Sequence, residues 1–297
     1  MRAFVLFVIL LVVALLLAAA LTYPAWLLVS TVSVQPFHRV MDRVAMLLAL
    51  IGLALLSRRL GLSNRAALGY DLPLREFAAQ LAAGWLGGIA LMVPLATLLF
   101  ALHVRVPLGE IADPMWQLAA RAIMSGLAVA VIEETFFRGM LFSAVARTSG
   151  AIAAILAPSV LYAAVHFLGG DLQESAQDLS WQDGFVMLSR LFERYNDPLA
   201  FVDSFLALAV LGVLLSWVRL RTGAIAACIG LHAAGVAAIM VLRATTMVDP
   251  QAQYGALVGT YDGVIGWAAL TWFAMILAGA IGLTRARERL HAAGAGS

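Results

Sequence analysis

Apolar stretches separated by short polar segments run along the whole chain. Most of them hold about 20 residues, enough for an α-helix to cross a hydrocarbon layer about 30 Å thick. The pattern predicts an all-α fold, a polytopic transmembrane helical bundle of about eight spans. The predicted spans are approximately 3–29, 43–57, 77–103, 118–146, 150–168, 201–218, 223–243 and 263–284.

The composition agrees with a membrane protein. Hydrophobic residues make up 63% of the chain and charged residues 12%, whereas soluble domains carry roughly 25% charged residues. No basic run of the kind that binds nucleic acid is present, so we expect the lipid bilayer as a partner and no nucleic acid. The single cysteine, Cys228, excludes an internal disulfide and a cysteine-rich metal site.

The spans suggest three parts of the chain. Residues 1–117 hold the N-terminal spans, residues 118–243 hold a core with the candidate chemistry, and residues 244–297 hold the last span and a tail. The first span passes three alanines at 18–20, which leaves a cleaved signal peptide open. Its apolar run is longer than that of a typical signal peptide, so we favour a retained anchor.

Charge alternates between the loops. One side collects arginines, and by the positive-inside rule it faces the cytoplasm together with both termini. We therefore expect a multi-pass protein of a bacterial inner (plasma) membrane. The cytoplasmic arginines are Arg2, Arg58, Arg59, Arg65, Arg75, Arg147, Arg219, Arg221, Arg285, Arg287 and Arg289. The opposite side holds most of the acids, including Asp171, Glu174, Asp178, Asp183, Glu193 and Asp197.

The long outer connection 169–200 contains a segment with helical spacing. In residues 184–195 the apolar positions Phe185, Leu188, Leu191 and Phe192 recur at this spacing. This predicts a short amphipathic helix on the outer surface, either a cover for the bundle or a lid that guides substrate.

The predicted span 118–146 carries Glu133, Glu134 and Arg138. A charged side chain at bilayer depth costs several kcal/mol unless it is paired or hydrated. Glu134 and Arg138 are four residues apart, so an ion pair on one helix face accounts for both. Glu133 points about 100° away from Glu134, so this ion pair does not account for it. A second carboxylate that the ion pair does not explain marks a candidate functional site.

Two histidines fall inside apolar spans, His166 and His232, whereas His38, His103 and His291 lie at span ends or in loops. The predicted spans 118–146 and 150–168 form a hairpin that turns near Ser149 and Gly150. Glu133 and His166 are almost equally far from this turn, at about 25 Å along each helix. Since helices joined by so short a loop are antiparallel neighbours, the carboxylate and the imidazole should face each other.

These side-chain types suggest two chemistries. In the first, Glu133 takes a proton from water while a histidine orients that water and another stabilises the oxyanion. In the second, Glu133, His166 and His232 hold a divalent metal such as zinc. No two of them share the short spacing of an H-E-x-x-H site, so we favour activation of water by glutamate without a cofactor.

The residues resemble a known family, the type II CAAX prenyl endopeptidase and bacteriocin-processing (CPBP, Abi) intramembrane proteases. The family motif EExxxR is present as Glu133, Glu134 and Arg138, and FxxxH as Tyr162 and His166. The motif HxxxN is present as His232 and Val236, with valine in place of asparagine.

The resemblance implies roles for these residues. Glu133 would be the catalytic base, His166 would assist it, and His232 would form the oxyanion hole together with the asparagine that is absent here. Glu134, Arg138 and Tyr162 would support them. Valine has no hydrogen-bond donor, and Thr245 and Thr246 lie too far along their span to replace the asparagine easily.

Three hypotheses for the function follow. The first is an intramembrane endopeptidase that cleaves a membrane-anchored protein or an exported peptide. The second, motivated by Val236, is a non-catalytic descendant that acts as a membrane scaffold or an immunity protein. The third is a transporter or proton relay that uses the same carboxylates, although no inverted repeat supports it.

Overall fold

A computed structural model of the chain describes residues 2–169 and 179–294. Its helices account for nearly all of the regular structure. They are α1 (Arg2–Ser30), α2 (Phe37–Arg59), α3 (Arg65–Leu68), α4 (Leu74–Ala101), α5 (Met115–Glu134), α6 (Phe142–His166), α7 (Gln182–Arg190), α8 (Val202–Thr222), α9 (Ala226–Thr245) and α10 (Trp267–Gly294). The all-α prediction is confirmed.

Within the described residues, seven helices are long and apolar enough to cross a membrane. One of them runs from Met115 to His166 and contains both predicted spans 118–146 and 150–168. Gly150, with φ 81° and ψ 175°, breaks it at the predicted turn. The two arms fold back on each other, since the rings of Phe137 and Tyr162 lie 5.3 Å apart. The helix α2 is longer than the predicted span 43–57.

A π-helical segment, Thr135–Leu141, joins α5 to α6. The carbonyl of Arg138 in this segment accepts a hydrogen bond from Nε of Arg219 on α8, at 3.1 Å. π-helical turns are rare and occur often at functional sites, and this one follows Glu133 and Glu134 directly.

The helix α9 packs closely against α4 and α5, because small residues line these contacts. A Cβ atom on Gly230 would lie 2.1 Å from the carbonyl oxygen of Leu81 on α4. A Cβ atom on Gly126 of α5 would lie 2.5 Å from the carbonyl oxygen of Ala233 on α9. These two close approaches place α9 at the centre of the bundle, next to the helix that carries the glutamates.

Two short strands join loops on the predicted outer side. They are β1 (Arg105–Pro107) and β2 (Thr246–Val248), and they pair in antiparallel register with Val106 opposite Met247. The buried Arg105 side chain fastens this ribbon: Nη1 donates to the carbonyl of Gly263 at 2.6 Å and Nε donates to Oγ1 of Thr246 at 2.7 Å. The hydropathy pattern did not predict the ribbon.

The predicted amphipathic helix is present as α7, followed by a 3₁₀ turn at Glu193–Asn196. Its buried face differs from the prediction: Met187 and Leu191 are buried, whereas Phe185 and Phe192 are each 49% exposed. The reason is the contact with α1, where a Cβ atom on Gly184 would meet the carbonyl oxygen of Ala19 at 2.0 Å.

The acids Asp171, Glu174 and Asp178 of the predicted outer loop lie outside the described residues.

Candidate active site

Three helices bring the side chains of Glu133, His166 and His232 close together. Oε2 of Glu133 lies 4.0 Å from Nε2 of His166 and 3.9 Å from Nε2 of His232. The Glu133 side chain is 28% exposed, and those of His166 and His232 are 19% and 5% exposed. Oε2 of Glu133 has no hydrogen-bond partner among the described residues. The side chains that the sequence placed at matched depth therefore face each other.

The other nitrogen of each imidazole is bonded to an acceptor. Nδ1 of His166 lies 2.7 Å from the carbonyl oxygen of Tyr162, one helical turn earlier. Nδ1 of His232 lies 2.8 Å from Oε1 of Glu134. A carbonyl or carboxylate oxygen accepts, so both Nδ1 atoms carry the proton. In the neutral rings the Nε2 atoms that face Glu133 then hold lone pairs.

Glu134 and Arg138 form the predicted ion pair. Nη1 of Arg138 donates to Oε1 of Glu134 at 3.0 Å, and both side chains are fully buried. Nη2 of Arg138 donates to the carbonyl of Gly212 at 3.2 Å, and the guanidinium carbon lies 4.6 Å from the centre of the Tyr162 ring. Because Oε1 also accepts from His232, the pair holds one catalytic candidate in place.

An inner cavity of about 230 Å³ opens beside the two imidazoles. Its lining includes Val236 and other apolar side chains of α4, α8, α9 and α10. The polar side chains in its wall are Tyr162, His166, His232, Arg243, Tyr261 and Asp262. It is mostly apolar, with its polar groups gathered at the imidazoles and at the end beside the connection between α9 and α10.

A second, lateral cavity of about 370 Å³ reaches Glu133 from the other side. Apolar residues of α1 and α2 form much of its wall, among them Leu11, Leu15, Met46 and Leu50. Glu133 is the charged group among its lining residues. The carboxylate thus lies between an apolar space and the imidazoles.

The distances from Glu133 to the two imidazoles are compatible with a bridging water. A water about 2.8 Å from each of two acceptors, with its O–H groups about 105° apart, separates them by about 4.4 Å. Zinc ligands at about 2.0–2.1 Å in tetrahedral geometry would lie about 3.4 Å apart. Within residues 2–169 and 179–294, no group of three His, Cys, Asp or Glu side chains is arranged to hold a metal ion.

Residues 115–238 match the family model described as type II CAAX prenyl endopeptidase Rce1-like. The resemblance inferred from the motifs is confirmed. The Rce1-like segment runs from the start of α5 into α9 and contains Glu133, His166, His232 and Val236. Neither a curated protein nor a solved structure matches the chain. The chain is therefore a multi-pass membrane protein with a CAAX protease-like segment.

The sequence did not predict the part of the inner cavity's wall that lies beside the connection between α9 and α10. Tyr261 and Asp262 come from the connection between α9 and α10, and Arg243 from the last turn of α9. Burial raises the pKa of the Tyr261 phenol, and the nearby Asp262 and Glu133 carboxylates add to this shift. An irregular loop has no periodicity that would reveal which way its side chains point.

Thr245 and Thr246 do not line the inner cavity. Oγ1 of Thr245 donates to the carbonyl of Val241 at 2.8 Å, and Oγ1 of Thr246 donates to the carbonyl of Leu242 at 2.5 Å. Their hydroxyls are engaged within α9 and at the ribbon, so neither takes the place of the missing asparagine.

Proposed function

We propose that the protein is an intramembrane endopeptidase in which Glu133 activates water. The proposal rests on one observation: Oε2 of Glu133 lies 4.0 Å from Nε2 of His166 and 3.9 Å from Nε2 of His232. All three atoms are acceptors when the rings are neutral, so Glu133 and one of the imidazoles can hold a water by its two O–H groups. A lone pair of that water is then free to attack a carbonyl carbon.

The proposed reaction uses the chain's own residues throughout. Glu133 accepts one proton of the water as the new C–O bond forms, and an imidazole accepts the second O–H as a hydrogen bond. When the tetrahedral intermediate breaks down, the C–N bond breaks and the proton on Glu133 passes to the leaving amine. His232 keeps its orientation because Glu134 and Arg138 hold its Nδ1 side.

The proposed substrate is a peptide segment held in or at the membrane. The arginine distribution supports cytoplasmic termini and a glutamate site in the outer half of the bilayer. We therefore expect a membrane-anchored or exported bacterial peptide rather than a prenylated cytoplasmic protein. The apolar lining of both cavities supports a substrate with apolar side chains next to the cleaved bond.

The test is hydrolysis by purified protein in detergent or liposomes, with a panel of internally quenched peptides and membrane-anchored reporters. Glu133→Gln keeps the size of the side chain and removes the base, so the rate should fall at least about 100-fold. Glu110→Gln, in an exposed loop, is the matched control and should cleave like the parent. Equal rates for Glu133→Gln and the parent would refute the proposal.

Val236, which lines the inner cavity, supports a second candidate function. A chain that lost its oxyanion donor would serve as a membrane scaffold or an immunity protein. In that case the cellular phenotype of a deletion would be restored by the Glu133→Gln variant as well as by the parent. A large gain of hydrolysis in Val236→Asn would indicate a protease impaired by the valine.

A further inference from the structure

Hydrolysis at this site needs a hydrogen-bond donor for the substrate carbonyl oxygen. Negative charge develops on that oxygen, and losing one donor commonly lowers kcat about 10²–10³-fold. The two imidazoles do not supply this donor when neutral, because their protons lie on Nδ1, facing the carbonyl of Tyr162 and Oε1 of Glu134. Both Nε2 atoms at the cavity are acceptors. The donor must come from another part of the wall.

Few groups of the wall can donate. Val236 and the other apolar side chains have no donor, and Asp262 accepts from the backbone N–H of Val264 and of Ile265 at 2.9 and 2.7 Å. Arg243 follows His232 by eleven residues, about 16 Å along α9, so it lies toward the outer end. The phenols of Tyr162 and Tyr261 remain.

Tyr162 is the phenol next to the imidazoles. Its ring centre lies 4.4 Å from that of His166 and 5.9 Å from that of His232. The residue is 1% exposed, yet it lines the inner cavity. Its ring is held from the other side by Phe137, edge-on at 5.3 Å, and by the Arg138 guanidinium at 4.6 Å. The ring is fixed in position.

The hydroxyl of Tyr162 makes no hydrogen bond to any described residue. Buried hydroxyls are normally hydrogen-bonded, so a free one in a cavity wall calls for a ligand. Relative to the motifs that the chain resembles, Val236 lacks the amide donor of asparagine, and Tyr162 carries a hydroxyl donor that phenylalanine lacks.

We propose that the Tyr162 hydroxyl donates the hydrogen bond to the substrate carbonyl oxygen, in place of an amide at position 236. The inference rests on the proposed function and adds one residue to it. As water attacks and Glu133 takes its proton, the carbonyl oxygen becomes an oxyanion that accepts the O–H of Tyr162. Tyr162 keeps its proton throughout, and the oxyanion returns to a carbonyl when the C–N bond breaks.

The experiment is a two-by-two set: parent, Tyr162→Phe, Val236→Asn, and the double variant. It uses the full chain and the quenched peptide that the parent cleaves fastest. Tyr254→Phe, an exposed phenol outside the cavity, is the matched control. Tyr261→Phe tests the competing donor, and thermal unfolding of every variant checks the fold.

We expect Tyr162→Phe to lower kcat about 100-fold with little change in KM, because the bond strengthens only as the oxyanion forms. Val236→Asn should raise kcat at least about 10-fold in the Tyr162→Phe background and only slightly in the parent. Tyr254→Phe should match the parent, and Tyr162→Phe should unfold at the parental temperature because it breaks no hydrogen bond.

Three outcomes would overturn the inference. Tyr162→Phe could cleave within about threefold of the parental rate. Tyr261→Phe, and not Tyr162→Phe, could show the loss of kcat. Val236→Asn could fail to restore kcat in the folded Tyr162→Phe variant. In each of these the parent still depends on Glu133, so the proposed function stands. If no variant shows hydrolysis that depends on Glu133, both the function and the inference fail.

Discussion

Nδ1 of His232 on α9 lies 2.8 Å from Oε1 of Glu134 at the end of α5, and this bond joins two helices at the centre of the bundle. The same oxygen accepts from Nη1 of Arg138 at 3.0 Å. The Glu134 carboxylate neutralises the charge of the Arg138 guanidinium and also fixes the orientation of the His232 imidazole. The second glutamate therefore has a positioning role that an ion pair alone would not give it.

Arg138→Met should destabilise the protein strongly. It leaves the fully buried Glu134 without its cation, and breaking a buried ion pair costs about 3–5 kcal/mol. Thermal unfolding in detergent measures the loss, and Glu134→Gln added to Arg138→Met should recover part of it. The control Arg221→Met breaks an exposed pair with Glu288, worth about 0–1 kcal/mol. If Arg138→Met and Arg221→Met lowered the melting temperature by similar amounts, the buried ion pair would not have this stabilising role.

Gly126→Ala should reduce both stability and hydrolysis. The added Cβ atom would lie 2.5 Å from the carbonyl oxygen of Ala233, so α5 and α9 must separate. Overpacking of this kind costs about 1–3 kcal/mol and would move Glu133 away from His232. In Gly87→Ala the new Cβ meets nothing within 4 Å. That control should keep parental stability and activity.

Chelation should leave hydrolysis unchanged. If Glu133 and the imidazoles act on water alone, treatment with 1,10-phenanthroline followed by desalting should give the parental rate within about twofold. The metal content of the same sample is measured by mass spectrometry. A loss of activity that zinc restores would instead assign Glu133, His166 and His232 as ligands.

Asp262 should make stability depend on pH. Burial raises the pKa of its carboxyl, against the backbone N–H groups of Val264 and Ile265, which lower it. Below about pH 3, well under the unfolded pKa of about 3.9, both folded and unfolded states hold the proton. As the pH rises, the unfolded state releases it first, so the free energy of unfolding falls until the folded pKa is reached.

Asp262→Asn removes this titration and retains an oxygen that accepts from the backbone. Its melting temperature relative to that of the parent should therefore increase between about pH 4 and 7. Asp197→Asn, on an exposed loop, provides the comparison. A constant difference between Asp262→Asn and the parent across this range would show that the carboxyl has no raised pKa.

Single cysteines can test the orientation, because Cys228 is fully buried and should stay unlabelled. The residues Ser33, after α1, and Ser63, after α2, are both exposed. The proposed orientation predicts that a membrane-impermeant maleimide labels Ser33→Cys in intact cells. It should label Ser63→Cys only after the cells are opened. The reverse pattern would place both termini outside.

The sequence alone predicted the membrane-spanning helices and the proximity of Glu133 and His166. Hydropathy predicted the spans, because an α-helix in lipid makes all the hydrogen bonds of its backbone internally. The predicted turn at Gly150 then placed Glu133 and His166 at the same depth in the membrane. Other features depend on contacts between distant segments. The ribbon of β1 and β2 pairs three residues with three others far along the chain, and neither strand has a pattern of its own.

The role of Glu134 was only half predicted. Its spacing from Arg138 gave the ion pair, whereas the bond to His232 depends on how closely α9 approaches α5. That approach depends on the small residue Gly126, whose packing partner no local pattern identifies. The free hydroxyl of Tyr162 was equally hidden, because an aromatic residue at that position predicts packing rather than donation.

The first helix lies beside the candidate catalytic carboxylate. Leu11, Ala14 and Leu15 of α1 form part of the wall of the lateral cavity, which ends at Glu133. A cut after Ala20 by a signal peptidase would detach this wall once the helix diffused away. The carboxylate would then lose part of the apolar wall that separates it from lipid tails, where a negative charge is poorly tolerated.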